Sequence, residues 1–227
     1  MRQATYTLMA LCACLCLSSG CRSKRVVEPC LEDWEARFCK GCFSKKDTKR
    51  IWCYYGLFQM DTPVDLRDLH PFEALEAVDL ANKNVTDLAP LAEHPGLQDL
   101  NLLNTHVHDL RPIANLRRLE ALNIGNTHVV SLEPLRKLHA LRSLWISGTM
   151  VSDLSPLTGL KELTDLHIEW TRVKDLEPLM GLDKLKVLWV TEGAFSPEQL
   201  DALRSRIEHL EISTIEPRRM VSNGVRP

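Results

Sequence analysis

Cysteine, histidine, tryptophan and a periodic aspartate are the side chains of this 227-residue chain whose types and spacing could carry chemistry. Cys12, Cys14 and Cys16 sit in an apolar stretch near the start, Cys21 follows the small residues Ser18, Ser19 and Gly20, and Cys30, Cys39, Cys42 and Cys53 come after it. Thiols can be acylated, cross-linked or ligated to zinc. His106, His108 and His128 fall on one edge of a repeating pattern and could approach a metal, but no carboxylate or cysteine completes a set, so an exposed polar edge is expected. Trp145, His167 and Trp189 recur at one constant step, with Asp165, Glu169 and Trp170 beside them, and could form an aromatic patch with acidic neighbours. Asp87, Asp109, Asp153 and Asp175 recur in step with the same pattern, so turn capping accounts for them better than acid catalysis. No serine nucleophile motif, HExxH helix, phosphate-cradling glycine loop or EF-hand loop is present, and the ten glycines do not cluster. The chain is therefore expected to be no enzyme and to need no cofactor or metal.

The cysteines divide by position. Arg2, the uncharged run from Ala4 to Leu17 and the small residues after it form a secretory signal over residues 1–20. The apolar run is shorter than the roughly 20 residues that span a bilayer. Leu17-Ser18-Ser19-Gly20-Cys21 resembles a bacterial lipobox, which implies a diacylated Cys21 at the new N-terminus; it departs from that pattern in placing Ser18 where leucine is usual. Ordinary signal cleavage after Gly20 is the alternative. Parity favours the lipid: with Cys21 acylated, Cys30, Cys39, Cys42 and Cys53 make an even set, suited to two disulfides in an exported protein. The pairing stays open, and a four-thiolate zinc site around Cys39-x-x-Cys42 is the sharper but less suitable alternative.

What must position these groups is a repeat. Leu75, Leu97, Leu119, Leu141, Leu163 and Leu185 are evenly spaced, and Ile207 continues the series. A second column runs Val78, Leu100, Leu122, Leu144, Leu166, Leu188, Leu210, and a third Leu80, Leu102, Ile124, Ile146, Ile168, Val190, Ile212. Leu97-x-x-Leu100-x-Leu102 alternates like a short strand with one buried face. Asp109-Leu110-Arg111-Pro112-Ile113 then reads as a capped helical turn, with proline near its start. The 38 leucines thus encode stacked units that bury one another's apolar faces. The unit L-x-x-L-x-L-x-x-T-x-V-x-D-L-x-P-L resembles bacterial leucine-rich repeats of the 22-residue, internalin-like class over about residues 64–212. That resemblance implies an α/β solenoid with a curved parallel sheet on its concave face and short 3-10 or helical turns on its convex face. Thr105, Thr127, Thr149 and Thr171 stand where many such repeats carry asparagine, a structural variation.

The expected order is a signal at 1–20, a lipid-anchored tether at 21–29, and a Cys-rich N-terminal cap with a divergent first strand at 30–63. Repeats follow at 64–195, then a capping helix and last strand at 196–215 and a polar tail at 216–227. Within each unit the third, fifth, seventh and eighth positions should line the concave face. Trp145, Asp165, His167, Glu169, Trp170 and Trp189 are therefore the candidate partner-binding residues, against the alternative that Trp145 and Trp189 only cover one another or the returning helix.

The near-neutral formal charge of -2 argues against nucleic acid. It hides an uneven distribution: residues 22–50 hold nine cations and five carboxylates, whereas residues 51–227 are acidic. A basic segment beside a lipid anchor can rest on anionic headgroups, or be plain solvated surface. The expectation is a monomeric, lipid-anchored bacterial envelope protein, on the outer membrane if Gram-negative and otherwise periplasmic or secreted. It would bind a macromolecule, first a protein, through its concave face; an idle structural component and a glycan-binding module are the alternatives.

Overall fold

The computed structural model describes residues 49–52 and 64–216. The signal, Cys21, the four cap cysteines and the tail beyond Glu216 lie outside the described residues. Among the described residues eight parallel strands form one sheet in strict sequence order. They are β1 (Arg50–Trp52), β2 (Ala77–Asp79), β3 (Asp99–Asn101), β4 (Ala121–Asn123), β5 (Ser143–Trp145), β6 (Asp165–His167), β7 (Val187–Thr191) and β8 (Glu211–Ile215). From β2 to β7 every pairing advances by one full repeat, as in Leu100 beside Leu122 and Leu144 beside Leu166. The step is uniform because each unit closes on the same three buried columns, and a slip of one position would turn a whole unit's leucines to solvent. Leu97, Leu119, Leu141 and Leu163 are fully buried in one continuous core, as are Leu122, Leu144 and Leu166.

The convex side consists of short 3-10 turns; those from Ala89–Glu93 to Glu177–Leu179, Arg111–Ile113 among them, carry proline in their first two positions, whereas Leu66–Leu69 has none. The periodic aspartates act as expected, one residue further out than a standard helix cap. The Asp87, Asp109, Asp153 and Asp175 carboxylates accept the backbone N–H two residues on at 2.8–2.9 Å, and Ser131 does the same at 3.2 Å. Such Asx turns satisfy donors that a 3-10 turn leaves open. The threonine column is also accounted for: Thr105, Thr127, Thr149 and Thr171 are tucked under the strand end and donate to the carbonyl three residues back at 2.6–2.8 Å.

Two departures from the sequence pattern occur at the ends. β1 precedes β2 by more than one repeat, Arg50 lying beside Ala77, and its described residues fall at the start of the expected divergent strand, the rest of which lies outside the described residues. At the other end the regular step also fails. Leu188 lies beside Ile212 and Val190 beside Thr214, so the expected alignment of Leu210 with Leu188, and of Ile212 with Val190, is corrected by two residues. The cause is the helix α1 (Pro197–Arg206), whose ten residues replace a 3-10 turn and lengthen the unit. An even shift keeps the alternation in phase, so Ile212 still packs against the core. Ser196 opens α1 with the expected capping box, its hydroxyl taking the Gln199 N–H and the Gln199 side chain returning to the Ser196 N–H. No helix among the described residues is long and apolar enough to cross a membrane.

Candidate functional site

The fifth position of each unit is the middle of the concave face. In β2, β3 and β4 it holds Asp79, Asn101 and Asn123, whose side-chain oxygens accept the N–H of Ala81, Leu103 and Gly125 at 2.9–3.1 Å. These residues serve the turn that follows their own strand. From β5 onward the column changes to Trp145, His167 and Trp189, side by side in register, and neither indole can accept such a bond. Nothing in the turn or in the leucine core calls for three large aromatic rings here.

The three rings stack. Trp145 and His167 have centroids 5.6 Å apart and tilted by 33°, while His167 and Trp189 are 5.7 Å apart and within 11° of parallel. Parallel strands about 4.8 Å apart set this spacing. His167 is the middle ring, its side chain only 21% exposed and its Nδ1 3.5 Å from Glu169 Oε1. The other Glu169 oxygen accepts the Ser147 hydroxyl at 2.5 Å. Burial pushes the Glu169 carboxyl up, but hydrogen bonds from His167, from Ser147 and from its own backbone N–H outweigh this, and it ends below the usual carboxylate range. The open face therefore presents an aromatic ridge whose central imidazole is anchored on a buried anion.

The expected concave residues thus separate into two groups. Trp145, His167, Trp189 and Asp165 lie half-buried on the open face, with Asp165 accepting from Thr164 at 2.5 Å and from Ser143 at 3.4 Å. Glu169 is only 3% exposed, so it lies beneath the ridge and acts through His167 and Ser147. Trp170 is apart from the stack, in the turn after β6, with a left-handed φ of 55° and its N–H donating to Thr191 Oγ1. The same turn position holds Asn82, Asn104, Asn126 and Gly148, all left-handed. That column of asparagine and glycine already marks a left-handed place in the sequence. A bulky indole there is held at a cost of about 1–3 kcal/mol.

Beside Trp145 the face opens into a shallow hollow of about 360 Å³, lined among others by Ala77, Asp79, Asp99, Asn101, Ala121 and Asn123. Sequence reasoning passes over it, although two alanines in the third-position column are its visible signal. On the edge of the solenoid His106 and His128 stack at 5.9 Å, and no group of three metal-ligating side chains occurs among the described residues. His94 is likewise absent from the expected features. It occupies a column otherwise filled by Leu116, Leu138, Leu160 and Leu182, and is buried with them.

No protein-family profile and no curated protein matches the chain. Solved structures do. An internalin C2 from Listeria monocytogenes is 31% identical, over 56% of this chain and 56% of that one, with a TM-score of 0.54. An internalin (inlF) of the same species is 22% identical, covering 65% of this chain and 51% of that one, at a TM-score of 0.56. A leucine-rich repeat protein of Leptospira interrogans is 16% identical, covering 74% and 49%, at a TM-score of 0.61. The chain spans about half the length of these proteins. With the sheet, the turns and the uniform repeat step, these likenesses show that the chain has a leucine-rich repeat solenoid fold similar to that of these bacterial proteins.

Proposed function

We propose that this chain is a non-catalytic binding protein of the bacterial envelope, and that a protein partner docks on its concave face. The observation that supports this is the fifth-position column. Its first half is spent on local turn bonds, and its second half on a Trp145–His167–Trp189 ridge that serves neither turn nor core. Half-exposed tryptophan over a rigid sheet suits a binding hot spot. The test is capture of partners from envelope extracts by the full chain and by its Trp145→Ala, Trp189→Ala variant, with loss of capture expected in the variant. Retained capture would contradict the reading.

The ridge also admits a purely packing role, because its rings cover one another. In that case the double variant loses stability rather than binding.

The N-terminal sequence supports a lipid anchor at Cys21, with the basic residues up to Arg50 next to the membrane and the acidic repeats held away from it. Intact mass of the protein from the membrane fraction checks this. A chain beginning at a diacylated Cys21 is expected, and an unmodified Cys21 thiol would refute the anchor.

A further inference from the structure

We propose that the hollow between Asp79 and Trp145 is a recognition pocket for arginine side chains on an extended basic segment of a protein partner, an assignment that rests on protein binding by the concave face. Charge supports it first. In the third and fifth columns of β2 to β8 stand four carboxylates, Asp79, Asp99, Asp165 and Glu211, and no lysine or arginine. Asp79 and Asp99 line the hollow itself. Asp79 uses one oxygen for the Ala81 N–H, and as a carboxylate it keeps further acceptor capacity toward the face.

Shape supports it next. Ala77 and Ala121 leave the floor low, Trp145 walls one end, and Asn101 and Asn123 supply amides between. From β2 to β5 the strands span about 14 Å, roughly four residues of extended chain. Guanidinium is the cation that uses every part of such a hollow, since its plane stacks on indole while its fork engages a carboxylate. A lysine ammonium would satisfy the charge but not the plane. Stacking within the ridge also disfavours a sugar: both faces of His167 are taken by its neighbours, so no flat three-ring platform is presented.

Asp79→Asn is the informative variant. Asn101 and Asn123 make the same turn bond in the next two units, so this change removes charge and keeps the local structure. The full chain in detergent is titrated calorimetrically with extended peptides that alternate serine with arginine, lysine, glutamate or glutamine. Binding is expected for the arginine peptide, more weakly for lysine, and not for the other two. Asp79→Asn should weaken arginine binding severalfold and Trp145→Phe by roughly tenfold at most, with circular dichroism showing both variants folded. Arginine binding unchanged by both substitutions would overturn the pocket, as would glycans from an array that bind and are displaced at Trp145. If no basic peptide binds while the Trp145→Ala, Trp189→Ala variant still loses its partner, the pocket is refuted and the wider concave-face reading stands.

Discussion

His94 shows how one residue can depart from a repeat and leave a measurable trace. It is 3% exposed in a leucine column, and neither ring nitrogen makes a well-formed hydrogen bond among the described residues. Burial holds its imidazole below the ordinary value of 6.5; Glu93 partly offsets this, His70 adds to the lowering, and the nearby Phe72 backbone gives a further small offset. His70 itself contacts Glu93 through Nδ1. Because the folded value is depressed, the folded and unfolded chains are both neutral at His94 well above pH 6.5. Below that value the unfolded chain takes up a proton that the folded chain refuses, and stability falls as the pH drops. His94→Leu should remove this component and raise stability by about 1–3 kcal/mol through loss of a poorly paired buried polar group. Denaturant titrations at neutral and mildly acid pH check it; an unchanged acid slope would show that His94 is not responsible. The leucine column makes His94 visible from sequence, whereas the burial of Glu169 is not. Glu169 follows the strand, where alternation stops, and only the turn geometry brings its carboxylate under His167.

At the scale of elements, the repeat spacing is legible because every unit repeats the same packing problem. Leu97, Leu100 and Leu102 define a strand, and the same three positions one unit later define its neighbour. The reading fails where the problem changes. α1 fills the place of a 3-10 turn, and no spacing rule says how many residues a helix adds, so the repeat pattern places the pairing of β8 two residues early. The stack of Trp145, His167 and Trp189 is legible as a column, but the direction in which each ring turns depends on side-chain torsions that spacing does not encode. These roles imply different energetic weights. Leu122→Ala opens a cavity in the core and should cost about 2–5 kcal/mol. Ser196→Ala removes one cap from α1 and should cost about 1 kcal/mol. Equilibrium denaturation measures both, and a larger loss at Ser196 would mean that the C-terminal helix, rather than the repeat interfaces, holds the solenoid together.

At the scale of the whole molecule, the groups that hold the stack together and the groups proposed for recognition lie on different faces. The leucine columns, the Asx turns and the tucked threonines are shared by nearly every unit and hold the stack. Among the described residues the aromatic ridge, the acidic hollow beside it and the left-handed Trp170 each occur once, on the sheet that the repeats build. The central claim is that Trp145 and Trp189 belong to recognition, and the most direct test is to measure partner capture and melting temperature together for the chain and its Trp145→Ala, Trp189→Ala variant. The expected result is capture abolished with the melting temperature nearly unchanged. A variant that unfolds, or one that melts normally and still captures its partner, would contradict the account.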